Sequence, residues 1–315
     1  MEILTKKQLI LPPQGYCLEE GFQPQFNFLH FMYYQIPFFL IIGNGGSFFT
    51  KFIFQSELQM KAFFNIIILS LAMLLLSACQ SVPFTGRSQL LLTSESQEKQ
   101  LGLETWQEIK SQSEISQNVE YYWAAQRTGT AIAKATGQDD FEWEFVVFES
   151  SVPNAFCLPG GKVAVYSGLF KYVKNDAELA CVIGHEAGHA VARHGGERLS
   201  QAKLQSWGNS LLSFALEDNA LKEKALLAYG VTTNVGAILP YSRKHEYEAD
   251  YMGMIFMAKA GYDPRSAISF WEKFQNASKT SGIGEYLSTH PVGSKRIEEM
   301  KKKLPEVLEL YYQKE

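Results

Sequence analysis

The sequence predicts an α+β fold, mostly helical, with one small β-sheet. Two observations carry the helical part. Apolar residues recur at helical spacing through 179–191 and again through 251–258, and each run adjoins a cluster of histidines and carboxylates. A third observation carries the sheet. Phe141, Trp143, Phe145 and Val147 fall at every second position, and a further short run follows at 161–166. Pro153, Asn154, Pro159 and Gly160 mark the turns around these runs.

Each element follows in chain order. Residues 1–59 are crowded with Phe and Tyr and show no steady period. They are read as an extension ahead of a start at Met60, the alternative being a membrane segment around 28–42. Residues 60–78 have the composition of a signal peptide: Lys61, an apolar stretch of about a dozen residues, then Leu76, Ser77, Ala78 and Cys79. The last four resemble a bacterial lipobox, which makes Cys79 the candidate lipid anchor to a membrane. Gln80 in the next position points to the outer membrane of the bacterial cell envelope, on its periplasmic face. The stretch is short for a membrane span, which needs about 20 apolar residues.

Residues 79–92 read as a tether and 93–315 as the folded domain. Ser94, Glu95, Ser96 and Gln97 fit a capping box that opens a helix to about Lys110. A second helix is expected over 117–136, ending at Gly137. The two strands follow, and then a helix capped by Asn175, with Asp176 and Glu178 where the helix dipole favours them. Residues 197–237 are helical and too charged overall to span a membrane. Asp263 and Pro264 start a helix to about Ala277. Gly282 and Gly284 mark a loop. A final helix carries Lys301, Lys302 and Lys303 as a solvated face. The net charge of −4 leaves nothing basic enough for nucleic acid. In an oxidising compartment Cys157 and Cys181 are free to pair if they lie close. Neither has a histidine at a spacing that suggests a nucleophilic pair.

The chemistry centres on His185-Glu186-Ala187-Gly188-His189. Histidines four apart on a helix sit about 40° apart around its axis, so both rings reach one metal ion. Glu186 points to a neighbouring sector, where it can take a proton from an attacking water. This is the HExxH signature of zinc hydrolases. The surrounding apolar surface marks the helix as buried, and a buried polar group needs a partner. Small residues at 184, 187 and 188 let another backbone approach.

A catalytic zinc usually has a third protein ligand and an open position. His194 lies about 140° around a continuous helix from His189 and reads as structural or surface. The better candidate is Glu246, with Asp250 four residues on and on the same face of a second helix. Glu246 would complete the ligand set. Asp250 would accept the free ring N–H of a ligand, His185 in the first instance, and fix its tautomer. Glu248 faces about 200° away from Glu246 and is the weaker choice, and His245 has no supporting spacing.

Together these blocks resemble the gluzincin endopeptidases related to the CAAX prenyl protease and the HtpX heat-shock protease. The nearest branch is the soluble quality-control one of the bacterial periplasm and mitochondrial inner membrane. Pro83-Phe84-Thr85-Gly86-Arg87, Asn154 through Lys162, the HExxH block, Ser242 through Asp250, and Thr289-His290-Pro291 with Arg296-Ile297 carry the resemblance over about residues 80–300. Cys157 departs from it, standing where the family has a small apolar residue.

The resemblance implies a zincin-like metallopeptidase domain with one zinc ion. It implies that the strand at 161–166 is a sheet edge that pairs with an extended substrate, with Asn154, Gly161, Val163 and Val165 as contacts. Such pairing reads backbone more than side chains and suits an enzyme acting on unfolded or misassembled envelope proteins. It places His290 and Arg296 near the active site. There either is a candidate to stabilise the oxyanion, and His290 to fill the open metal position at rest. The expected function is therefore a zinc endopeptidase with Glu186 as general base. The alternatives are a chaperone or assembly factor that cleaves rarely, and a latent protease.

Overall fold

The computed structural model describes residues 60–70, 79–209, 242–278, 290, 291 and 293–312. The expected extension over 1–59, residues 71–78 of the signal-like stretch, residues 210–237 of the expected helix, and Thr289, Gly282 and Gly284 lie outside these. The chain divides into two units, Met1–Asn65 and Ile66–Glu315. Of the first, residues 60–65 are described; they are helical and exposed, as are residues 66–70 of the second. Among the described residues no helix is long and apolar enough to cross a membrane.

The second unit is mostly helical with two small sheets. β1 (Cys79–Ser81) and β2 (Ser88–Leu90) form an antiparallel hairpin, with Cys79 exposed at its head. The region read as a tether is thus structured. α1 (Glu95–Gln112) starts where the capping box predicts, Ser94 Oγ accepting from Gln97 N–H and Gln97 returning a bond to Ser94 N–H. α2 (Val119–Thr136) is capped by Asn118 and ends at Gly137 in a left-handed conformation, φ 71°.

β3 (Glu144–Phe148), β4 (Ala155–Leu158) and β5 (Lys162–Tyr166) form the second sheet in the order β3-β5-β4. β3 runs parallel to β5, and β4 antiparallel to it. β3 is shorter than the alternation from Phe141 predicts. Its partner begins only at Lys162, after Gly160 and Gly161 turn the chain with φ of 81° and 84°. Trp143 packs instead over Gly161, where a Cβ would strike the indole.

This order corrects the expected substrate edge. Val163 and Val165 lie in the central strand, paired with β3 on one side and β4 on the other, and Gly161 leads into it. Their backbone groups are already used, so they offer no free edge. Asn154, by contrast, enters β4, which is an edge. The other edge, β3, is occupied. Val147 C=O accepts from Ser116 N–H at 2.9 Å, Glu149 N–H donates to Glu114 C=O at 2.7 Å, and the Gln126 amide donates to Phe145 C=O at 2.7 Å.

The sheet is buried on both faces. Trp106 of α1 packs with Phe148, Phe156, Leu158 and Ala164 on one. Ala155, Cys157, Val163 and Val165 join the larger core on the other. That core holds α3 (Asp176–Val191) and α5 (Arg243–Lys259), with α6 (Arg265–Ser278) and α7 (Ser294–Leu310) packed around them. Asn175 caps α3 and Ser242 caps α5. Lys301, Lys302 and Lys303 are exposed and paired with nearby glutamates, a solvated face.

Candidate metal centre

The site is made by the crossing of α3 and α5. Gly184 and Gly188 on α3 face Gly253 and Ala249 on α5. A Cβ on Gly188 would lie 3.0 Å from the Ala249 carbonyl oxygen, and one on Gly253 would lie 3.0 Å from His185 N. Only with these side chains missing do the two backbones come this near. The approach puts Glu246 and Asp250 directly against His185 and His189. All four side chains are at most 4% exposed.

Four ligand atoms converge. His185 Nε2 and His189 Nε2 are 3.2 Å apart, and Glu246 reaches them at 3.5 and 3.3 Å. His290 Nδ1 lies 3.2 Å from both His185 Nε2 and Glu246 Oε1. The potential ligand atoms of these four residues all fall within 4.8 Å of one another. Two or three imidazoles and one carboxylate are a donor set that suits zinc, so the residues present fit the ion. Glu186, 2% exposed, stands beside them with His290 Nε2 3.7 Å from its Oε1.

The supports differ on the two sides. Asp250 Oδ1 lies 2.9 Å from His185 Nδ1, as expected, which leaves Nε2 for the metal. Burial and the Arg296 charge push His185 down, but Asp250 and Glu246 more than offset them and raise it to about 9. Burial pushes the Glu246 carboxyl up, and the Arg296 guanidinium and His290 overcome this and hold it well below the usual range.

Arg296 is engaged with the two carboxylates of the centre. Its Nε and one terminal nitrogen bond both Asp250 oxygens, and the other terminal nitrogen lies 2.6 Å from Glu246 Oε2. Its plane sits 4.3 Å from the Trp271 ring centroid. Its donors thus hold Glu246, the candidate ligand, and Asp250, the partner of His185.

Of the two readings the sequence leaves for His194, structural or surface, the structure selects the first: it is wholly buried and bonded to a candidate ligand. Its Nδ1 lies 2.9 Å from His189 Nδ1 and its Nε2 2.9 Å from Glu248 Oε2. The helical-wheel angle fails because α3 ends at Val191. Arg193 takes a left-handed φ of 57°, and α4 (His194–Asn209) restarts the chain in a new direction. Burial pushes His194 down to about 4, despite Glu248, so it is neutral near pH 7.

Around it lies a polar cluster that the sequence reading did not assemble. Arg87 donates to Glu248 at 2.8 Å and, through both terminal nitrogens, to Glu197 at 2.8 and 3.1 Å. Thr85 donates to Glu248. His245 Nε2 meets Glu197 at 3.0 Å, and the His245 ring stacks on His194. The Pro83–Arg87 block was the available signal, since charged and hydroxyl residues on a short loop ask for partners.

β4 runs close to this centre. Burial, together with the charge of Glu186, pushes the Cys157 thiol up. Cys157 and Cys181 are both buried free thiols.

Residues 123–304 match the peptidase family M48. The chain is 43% identical over 170 residues to the mitochondrial metalloendopeptidase OMA1 of Arabidopsis thaliana, covering 53% of this chain and 32% of that one. It is 34% identical over 229 residues to the Schizosaccharomyces pombe protein of the same name, covering 71% and 66%. It is 29% identical over 163 residues to the beta-barrel assembly-enhancing protease of Escherichia coli, covering 49% and 33%. The chain thus spans between about a third and two thirds of these relatives. The expected location at the bacterial outer membrane is corrected by these matches, because the relatives matched at 43% and 34% identity are mitochondrial proteins of a plant and a yeast. The family match covers more than half of the chain and includes every candidate ligand, and on that ground the chain belongs to peptidase family M48.

Proposed function

We propose that this chain is a zinc-dependent endopeptidase that cleaves unfolded or misassembled protein chains. The observation that supports it most is the convergence of His185, His189 and Glu246 beside Glu186. A bound zinc ion polarises a carbonyl and makes water more acidic. Glu186 takes the proton of the attacking water and passes it to the leaving amine. Asp250 and Arg296 hold His185 and Glu246 in place. β4 (Ala155–Leu158) has a strand partner on one side only among the described residues, but those residues are at most 5% exposed, so an extended substrate would add to it through backbone hydrogen bonds only once that edge is uncovered. That mode reads little of the side chains and suits loose sequence preference. The names of the relatives, two metalloendopeptidases and a protease that enhances β-barrel assembly, are in keeping with this reading.

A second reading is favoured by His290. Its Nδ1 reaches both His185 and Glu246, so a resting form would have this ring as a fourth ligand and be latent. The deciding experiment compares cleavage of an unfolded protein by the zinc-loaded wild type and Glu186→Gln. Cleavage by the wild type alone, with zinc retained in the variant, is the expected result. Equal cleavage by both would sink the proposal. Silence from both moves the reading to the latent form or to a chaperone, and cleavage by His290→Ala would select the latent one.

A further inference from the structure

His189 Nδ1 meets His194 Nδ1 at 2.9 Å, whereas His185 Nδ1 meets Asp250. Two ring nitrogens at 2.9 Å share one proton, since two bare lone pairs would repel. If Nε2 of His189 is given to a metal, that proton must sit on His189 Nδ1. His194 Nδ1 is then the acceptor, and its Nε2–H donates to Glu248. The chain of bonds has one direction, from the candidate ligand to a carboxylate. Glu248 accepts in turn from Thr85 and Arg87, both in the loop between β1 and β2. The His245 ring, 4.3 Å from that of His194 and held by Glu197, closes the remaining face.

We propose that His194 is a positioning residue for His189. It sets the tautomer that turns Nε2 to the metal, and Glu248, clamped by Thr85 and Arg87, holds His194 for that task. The hairpin at the head of the domain is thereby part of the metal centre. The inference rests on the reading of His189 as a metal ligand. It adds a support on the opposite side from Asp250 and Arg296. A ligand imidazole fixed by an outer partner loses metal affinity when that partner is removed. Arg87 is placed to matter because it bonds both Glu248 of α5 and Glu197 of α4.

The test measures zinc affinity of the full chain by competition with a chromophoric chelator, and records the absorption bands of the cobalt(II) form. His194→Leu is expected to bind zinc about 10–100-fold more weakly and to shift the cobalt bands. His194→Asn, whose Oδ1 takes the place of the accepting Nδ1, is expected to stay within about threefold of wild type. His194→Gln puts its acceptor at the other nitrogen and should resemble Leu. Arg87→Ala should lie between, at roughly 3–10-fold weaker. Wild-type affinity and bands in His194→Leu would overturn the proposal. If the Leu variant does not fold, equal affinity in the Asn and Gln variants would overturn it. His189→Ala separates the layers. Unchanged zinc binding in it would remove the metal reading itself, whereas lost binding beside an unaffected His194→Leu would remove only this inference.

Discussion

Gly188 of α3 lies against the backbone of Ala249 in α5, so that a Cβ at 188 would meet that carbonyl oxygen at 3.0 Å and the Ala249 Cα at 3.2 Å. Backbone cannot swing aside as a side-chain tip can. Gly188→Val is expected to push the helices apart and cost roughly 1–3 kcal/mol. It should also weaken zinc binding, because Glu246 rides on the displaced helix. Urea unfolding of the metal-free protein and a zinc titration check both halves. Full stability in the variant would mean that the crossing is looser than described.

Arg296 is the counter-charge to Glu246 and Asp250, and all three are at most 4% exposed. Removing one partner of such a cluster strands the others without compensation. Arg296→Ala is expected to destabilise the metal-free protein by about 3–5 kcal/mol. Zinc should restore part of this, since it supplies positive charge against the same carboxylate. The melting temperature with and without zinc reads the effect. A variant equally damaged in both states would show that the loss is packing against Trp271 rather than charge.

Glu197 gives a pH dependence with a definite sign. Burial raises its pKa, but the bonds from His245 and Arg87 lower it from 4.5 to about 2. A depressed carboxylate contributes stability above its unfolded pKa and loses it as pH falls through the folded one. The metal-free protein should therefore lose on the order of 2–3 kcal/mol between about pH 4.5 and 2 from this group. Glu197→Gln should be flatter across that window. Urea midpoints at several pH values would show it, and parallel curves for both proteins would contradict it.

His290→Ala should raise the rate of peptide cleavage if the ring occupies the fourth metal position at rest. With about nine-tenths of molecules so occupied, removal gives about a tenfold increase in initial rate. A fall in kcat with zinc still bound would instead assign His290 to the chemistry.

The helices and the heart of the site were legible because their signals are local. Ser94 with Gln97, Asn118, Gly137 and Asn175 act within one turn of chain, and His185, His189, Glu246 and Asp250 need only helical spacing. β4 was not legible. Ala155, Phe156, Cys157 and Leu158 are apolar throughout because both faces of the sheet are covered, so no alternation announces a strand. Its presence moved the edge away from β5. The contact of His194 with His189 was hidden for another reason: the wheel assumes an unbroken helix, and Arg193 takes a left-handed φ one residue before it. That conformation is held from a distance, by Glu98, Gln80 and Thr93 on Arg193, which no short-range pattern contains.

The loop at Thr85–Arg87 makes the protein sensitive to where its leading end is trimmed. Removal of residues ahead of Val82 spares every bond to Glu248, whereas a cut just past Arg87 frees the loop from the rest of the domain. On the proposal for His194, the first product would keep the Thr85 and Arg87 bonds to Glu248 while losing β1 and the Gln80 bond to Arg193, and the second would lose the support of Glu248. A shift of only a few residues in a trimming point would then change metal affinity without altering His185, His189, Glu246 or Glu186.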